Sequence, residues 1–158
     1  LRSGRLQGRT YALSEVEGHW NLESTEQGLA LSASLAGGWS SEEAPLQTRA
    51  LFGGRGTLLG YPYRGYAGDR WALLHLEGSQ VIAAPWVRLG VFGSAGSTWL
   101  RDSSVPEGWA VSATGQTRFS AGVTAELFWD LARVDVGRGL NGGKWEVQLS
   151  LTRRFWWL

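Results

Sequence analysis

Residues 28 to 39 read Gly28-Leu-Ala-Leu-Ser-Ala-Ser-Leu-Ala-Gly-Gly-Trp39, and the odd and even positions differ sharply in character. Large apolar side chains stand at Leu29, Leu31 and Leu35 in the odd set, whereas the even set contains only Gly, Ala and Ser. Successive side chains of a β-strand point to opposite faces of its sheet. The alternation therefore predicts a strand with one apolar face and one face of small residues.

The same period of two governs residues 117 to 129 and the last segment, residues 145 to 157. In both segments the second face carries mainly Ser, Thr and charged residues, with Gly122 and Phe128 in the first segment and Gln148 in the last. Arg153 is the exception in the apolar row. From these three segments we predict that one set of residues faces lipid: Leu29, Leu31, Leu35, Phe119, Val123, Leu127, Val147, Leu149 and Leu151.

Weaker alternation marks further segments, which bring the total to about eight strands: 10 to 22, 47 to 54, 70 to 82, 86 to 99 and 131 to 140. Several exceed the five or six residues usual in soluble sheets and match the 9 to 11 that a tilted membrane strand needs. The sequence thus predicts one all-β domain over residues 1 to 158, an antiparallel transmembrane β-barrel.

A soluble antiparallel barrel or sandwich is the alternative, but it would place large residues inward and charges outward. The non-apolar face here is mostly Gly, Ala, Ser and Thr. Several tryptophans fall at or near strand ends, as in the aromatic girdles of outer-membrane barrels: Trp39, Trp99, Trp129, Trp145 and Trp157. No apolar run approaches the roughly 20 residues of a membrane-spanning helix, so the strands must do the spanning.

One stretch contains a motif in addition to the alternating pattern: Leu51-Phe-Gly-Gly-Arg-Gly-Thr-Leu-Leu-Gly-Tyr-Pro-Tyr-Arg-Gly-Tyr-Ala-Gly-Asp-Arg70, followed by Leu74-His-Leu-Glu77. It resembles the bacterial surface antigen superfamily, which contains the BamA-like barrels of outer-membrane insertases and two-partner secretion transporters. In that family a Gly-Gly pair precedes a Leu-Arg-Gly-Tyr or Phe motif on a loop that folds into the lumen. The likeness extends over residues 51 to 158.

The resemblance implies a loop at about residues 55 to 68 that folds inward, with these residues in the contact between loop and lumen: Gly60, Tyr61, Arg64, Asp69 and Glu77. The sequence departs from the family pattern at two positions. Leu59 stands where the family has Arg in its loop motif, and Ser94 stands where the family has Asp in the strand after the one that bears Glu. The loss of both members of a buried ion pair can be nearly neutral, whereas the loss of one is costly. We expect Arg64 to lie near Glu77 if a charge contact survives.

The resemblance places the protein in the bacterial outer membrane and covers the C-terminal half of a sixteen-stranded barrel. Either eight strands close on themselves, or they pair with another barrel chain or a second half-barrel. The expected partners are the lipid bilayer, such a chain and the outer-membrane assembly machinery. The expected role is a membrane anchor or a component of a membrane assembly. The alternative is a working insertase or polypeptide translocator.

No catalytic, metal or cofactor constellation stands out, so no enzyme activity is expected. His19 and His75 stand on different strands without a ligand pair at short spacing. Gly53-Gly-Arg-Gly56 lacks the ending of a phosphate loop and is interpreted as a turn. Positive and negative charges are nearly balanced, 15 against 14, and no basic stripe indicates nucleic acid.

The charged residues expected on the inner side are of both signs: Glu15, Glu17, Glu77, Arg88, Arg118, Glu126, Arg133, Asp135, Glu146 and Arg154. An unpaired charge in a narrow interior is costly, so these groups should form mutual ion pairs. Such pairing favours a filled barrel over an open pore.

The end of the chain resembles the assembly signal of outer-membrane barrels, with Phe155 and Trp157 on the apolar face of the last strand. We expect residues 145 to 157 to pair with residues 131 to 140 through the turn Asn141-Gly142-Gly143. The other edge of this strand should meet the strand near residues 10 to 22, or a strand of another chain, because unpaired backbone in lipid is costly.

Overall fold

The computed structural model describes residues 2–6, 9–24, 28–41, 44, 50–54, 56–100, 115–128 and 131–151. Within these ranges ten β-strands are present: β1 Arg2–Leu6, β2 Arg9–Ser24, β3 Leu29–Ser40, β4 Ala50–Phe52, β5 Tyr66–Gly68, β6 Arg70–Ala83, β7 Val87–Trp99, β8 Arg118–Leu127, β9 Ala132–Gly139 and β10 Trp145–Leu151. Across the same ranges, no helix is long and apolar enough to cross a bilayer.

Eight strands form one antiparallel sheet in the order β1-β2-β3-β6-β7-β8-β9-β10, and β4 and β5 form a separate small sheet. The predicted all-β antiparallel fold is confirmed. The predicted strand at 47 to 54 is wrong in part, because its described portion gives only the three residues of β4 to a local hairpin. Its partner β5 lies on the far side of a loop, and alternation within a segment cannot reveal such pairing.

The register of the large sheet aligns side chains of one kind from strand to strand. Val123 on β8 is opposite Val91 on β7 and Val136 on β9, and Val147 on β10 continues this apolar row. One residue farther along β8, Thr124 is opposite Gly90 and Asp135. We call the face of the valine row the outer face and the face of Asp135 the inner face.

Exposure of the side chains agrees with the predicted division into two faces. Of the nine residues predicted to share the apolar face, eight are exposed, from 37% for Leu29 to 71% for Leu151, and Leu127 is half-buried. The inner face instead buries polar groups, among them Ser94, Ser120 and Asp135. This is the reverse of the distribution in a water-soluble protein, where charged residues are mostly exposed.

The two ends of the sheet differ in the length of their connections. Short connections join β2 to β3, β6 to β7 and β8 to β9 at one end, which we call the turn end. At the opposite end, the loop end, residues 41 to 69 connect β3 to β6 and residues 100 to 117 connect β7 to β8, while the connections from β1 to β2 and from β9 to β10 are short. Trp39, Trp99 and Trp145 are exposed at the loop end, and Trp86 and Phe128 are exposed at the turn end.

The outermost strands of the sheet are β1 and β10, and no pairing joins them within the described ranges. The predicted hairpin is present, since β10 pairs with β9 across residues 140 to 144. The predicted pairing of the last strand with the strand near residues 10 to 22 is not formed there, because β2 pairs with β1 and β3 instead. Phe155 and Trp157 lie outside the described residues.

Replacement of Gly142 by Ala should lower the stability of this hairpin. Gly142 has a φ of 77°, and no atom of the described residues lies within 4 Å of an added Cβ, so backbone strain alone would act. We expect Gly142→Ala to cost about 1 kcal/mol, and Gly142→Asn less, because Asn tolerates the left-handed region. Urea unfolding in detergent micelles measures both, and equal midpoints for the two variants would contradict this account.

Candidate functional site: the inner face and its loop

A cluster of charged side chains, the Arg133 cluster, occupies the inner face across β6, β8 and β9. The Arg133 guanidinium lies 2.7 Å from Glu77 Oε2, 3.1 Å from Glu126 Oε1 and 2.9 Å from Asp135 Oδ1. Glu126 is the direct cross-strand neighbour of Arg133, whereas Glu77 belongs to a strand that is separated from β9 by β7 and β8. The sheet must therefore curve around its inner face to bring these groups together.

Two further side chains contact the acidic members of this cluster. Arg88 on β7 contacts Glu126 at 3.9 Å and donates to Glu23 on β2 at 3.1 Å. His75 Nε2 lies 3.5 Å from Glu77 Oε2. The prediction that inner charges form mutual ion pairs is confirmed for Arg88 and Arg133 with Glu77, Glu126 and Asp135. The Arg88–Glu23 contact again joins strands that are not adjacent in the sheet.

A segment that we call the inner loop, residues 53–54 and 56–68, returns onto the inner face at the loop end. Gly60 N donates to Glu146 Oε2 at 2.7 Å, and Gly60 O accepts from Lys144 N at 2.7 Å. A Cβ at Gly60 would collide with the backbone atoms Gly139 N and Lys144 O. Only a glycine fits this close approach, and its φ of 86° favours glycine as well.

Tyr61 joins the inner loop to two further parts of the sheet. Its hydroxyl donates to the carbonyl of Phe119 at 3.0 Å and accepts from the backbone N–H of Asn141 at 3.0 Å. The Arg118 guanidinium lies 4.1 Å from the ring centroid of Tyr66 and 5.5 Å from that of Tyr61. These contacts hold the loop against β8 and the β9–β10 turn.

The apolar residues of the loop bury one another against the sheet. Phe52, Leu58 and Tyr61 form a buried cluster, and Tyr66, Trp71 and Leu73 pack against it. This buried apolar cluster lies on the inner face, between loop and sheet. This placement explains why Trp71 is half-buried, whereas Trp39, Trp99 and Trp145 are exposed.

The predicted contact between Arg64 and Glu77 is wrong. Arg64 is exposed and lies over the ring of Tyr63, 5.2 Å from its centroid. Glu77 is already bound by Arg133 and His75, so it does not require a cation from the loop. Asp69 is buried where β5 leads into β6, and its backbone binds Ser40 and Trp99.

Leu59 and Ser94, which stand at the two departures from the family pattern, line one inner cavity of about 430 Å³ together with His75 and Arg133. Ser94 Oγ is 2.8 Å from His75 Nδ1, and Leu59 is buried. Uncharged side chains thus occupy both positions at which the family would place an ion pair. The Ser94–His75 contact was missed in the sequence because the register of β6 and β7 creates it.

The remaining candidate groups occupy ordinary positions. His19 lies 3.0 Å from Glu17, and both side chains are largely exposed. Within the described ranges, no group of three His, Cys, Asp or Glu residues could hold a metal ion. Gly53 and Gly54 have φ values of 114° and 69°, and Gly54 N donates to Leu58 O, which agrees with their interpretation as a turn.

No protein-family model matches the chain, and a search of curated proteins found no match.

Replacement of Arg133 should destabilise the protein through its acidic neighbours. Arg133→Met would leave three half-buried or buried carboxylates without their shared cation. Loss of one partner from a buried pair costs about 3 to 5 kcal/mol. Because the Arg133 side chain is 27% exposed, we expect about 2 to 3 kcal/mol. Glu17→Gln, which removes an exposed pair, should change the unfolding free energy by less than about 0.5 kcal/mol. Similar urea midpoints for the two variants would contradict the role of Arg133.

Replacement of Gly60 should detach the inner loop from the sheet. Gly60→Ala adds a collision with Gly139 and Lys144 to the strain of its positive φ. Gly56→Ala is the matched control, since Gly56 has a φ of 83° and no described atom near an added Cβ. Hydrogen exchange at the Lys144 amide should rise about tenfold or more in Gly60→Ala only, as expected for a loss of about 1.4 kcal/mol. Equal rates in both variants would show that the close approach is unimportant.

Proposed function

We propose that this chain forms the wall of a bacterial outer-membrane β-barrel related to the insertase and secretion superfamily, and that it acts as a membrane anchor or as a component of a membrane assembly. The observation on which the proposal rests is the distribution of side chains on the two faces, which is the reverse of that in a water-soluble protein. Large apolar side chains cover the outer face, while the inner face holds paired charges. A soluble protein rarely exposes a continuous apolar patch beyond a few hundred Å².

The positions of the aromatic residues support a membrane with its two interfaces at the two ends of the sheet. Trp86 precedes β7 and Trp99 ends it, and both are exposed. β7 has 13 residues, which span roughly 43 Å at about 3.3 Å per residue. At the roughly 45° tilt of membrane strands this length covers about 30 Å, the thickness of the hydrocarbon core. Girdles of aromatic residues at both interfaces are typical of outer-membrane barrels.

The asymmetry of the connections supports an orientation in that membrane. Outer-membrane barrels have short periplasmic turns and longer extracellular loops. We therefore assign the turn end to the periplasm and the loop end, with residues 41 to 69 and 100 to 117, to the exterior. The inner loop would then close the barrel from outside.

The contents of the inner face favour an anchor over a channel. The Arg133 cluster crosses the interior between strands that are not adjacent, and the inner loop packs against β8 and the β9–β10 turn. Contacts that cross the interior in this way would obstruct a continuous water-filled path, and the inner cavity of about 430 Å³ remains beside them. We assign the ion pairs of the Arg133 cluster a structural role, and we propose no enzymatic role and no cofactor.

The free edges of the sheet need a partner in this proposal, because backbone groups in hydrocarbon must be paired. Glu17 on β2 and Ser150 on β10 line the same inner cavity, so the two sides of the curved sheet face each other. This geometry favours a small barrel that closes on itself, with pairing to a second half-barrel or another chain as the alternative. A functional insertase or translocator is the second candidate, favoured by the edge of β10 that has no partner within the described ranges.

Insertion of a charge on the outer face tests the membrane assignment. Leu149 is 63% exposed, so Leu149→Arg would leave a packed globule nearly unaffected. In a bilayer the same change costs about 2 to 4 kcal/mol near the midplane. We expect that loss in a vesicle folding assay, whereas Leu149→Phe should fold as the unchanged protein does. Full tolerance of the Leu149→Arg change in vesicles would contradict the lipid-facing orientation.

A further inference from the structure

The β9–β10 turn contains Asn141, one of the two asparagines of the chain, and a glycine follows it directly. The other asparagine, Asn21, lies inside β2 and is followed by Leu22. Asn141 and Gly142 are both exposed at the loop end of the sheet, where water reaches them. The two asparagines therefore differ in their neighbours and in their surroundings.

An asparagine can react with the backbone nitrogen of the residue that follows it. In the turn, the Gly142 nitrogen would attack the side-chain carbonyl carbon of Asn141. A new C–N bond forms, the bond from that carbon to Nδ2 breaks, and ammonia leaves with the proton of the Gly142 N–H. Water then opens the resulting succinimide ring at one of its two carbonyl carbons, which gives aspartate or isoaspartate.

The surroundings of Gly142 favour this attack. No atom of the described residues lies within 4 Å of the place that a Cβ would take, so that side of Gly142 is open. None of the hydrogen bonds among the described residues uses the Gly142 N–H. In β2, by contrast, Asn21 and Leu22 are paired with β3, and the branched side chain of Leu22 stands beside the nitrogen that would react.

The same turn holds the inner loop through two hydrogen bonds. The backbone N–H of Asn141 donates to the Tyr61 hydroxyl at 3.0 Å, and that of Lys144 donates to Gly60 O at 2.7 Å. Gly143 is so close to the loop that a Cβ there would lie 2.8 Å from Gly60 O. Isoaspartate carries the main chain through the former side chain and lengthens it by one carbon atom, whereas aspartate leaves the backbone path unchanged.

We propose that Asn141 is a site of spontaneous deamidation, and that isoaspartate at this position releases the inner loop from the β9–β10 turn. The exposed Asn-Gly pair supplies the reacting groups. The contacts of the turn with Gly60 and Tyr61 convert a longer backbone into a loss of loop attachment. The proposal does not depend on the membrane location, because the reaction and its effect both lie within this turn and the inner loop.

Ageing of the full chain tests the reaction. The protein is kept in detergent micelles in mildly alkaline buffer, peptide mass spectrometry follows deamidation at both asparagines, and an isoaspartyl methyltransferase labels isoaspartate. We expect Asn141 to deamidate faster than Asn21 by about tenfold or more, as a barrier lower by about 1.4 kcal/mol would give. Asn141→Gln should lose most of the methyl labelling, because glutamine must form a larger ring. Deamidation of Asn141 no faster than that of Asn21, or unchanged labelling in Asn141→Gln, would overturn the proposed site.

Hydrogen exchange separates the longer backbone from the added charge. Aged protein enriched in isoaspartate at position 141 is compared with the Asn141→Asp variant, which has the same charge on an unchanged backbone. We expect exchange at the Lys144 amide to rise about tenfold in the isoaspartate form only. Equal rates in the two forms would overturn the release of the loop. A matching rise at the Val123 amide of β8 would show that the whole sheet opens, and would overturn it as well.

Discussion

The register of the eight-stranded sheet is the constraint on which the rest of the structure depends, because a slip of one residue would exchange its two faces. In the observed register, Val91, Val123 and Val136 share the outer face, while Thr124 and Asp135 share the inner one. The same alignment brings Glu126 opposite Arg133 and His75 opposite Ser94. Pairing of the backbone thus sets which side chains can meet, and the curvature of the sheet then adds Glu77 to the Arg133 cluster.

The inner face combines two kinds of contact that stabilise the fold in different ways. The Arg133 cluster joins β6, β8 and β9 through charge-assisted hydrogen bonds, which are stronger than neutral ones but cost desolvation. The inner loop adds an apolar cluster around Leu58 and Tyr61, together with backbone contacts at Gly60. Because the large apolar side chains of the outer face are mostly exposed, these inner contacts are the main tertiary interactions of the described sheet.

Leu59 and Ser94 are the two positions at which the sequence departs from the surface antigen pattern that it resembles. Both line the cavity beside His75 and Arg133, and neither carries a charge. Arg133 already binds three carboxylates, so an added aspartate at position 94 would meet an acidic neighbourhood. A further arginine at position 59 would have to enter between Gly137 and the apolar residues of the loop. The interior is therefore consistent with uncharged side chains at positions 59 and 94.

The sequence by itself determined the two faces of the strands, because a period of two is a local property that each segment displays alone. It also placed the tight turn at Asn141-Gly142-Gly143, where glycine chemistry acts within a few residues. Only the tertiary structure decided that Arg64 lies over Tyr63 while Glu77 binds Arg133, and that β4 leaves the large sheet to pair with β5. The contact between Glu77 and Arg133 joins residues far apart in the chain. Its formation depends on strand register and sheet curvature, which no single segment encodes.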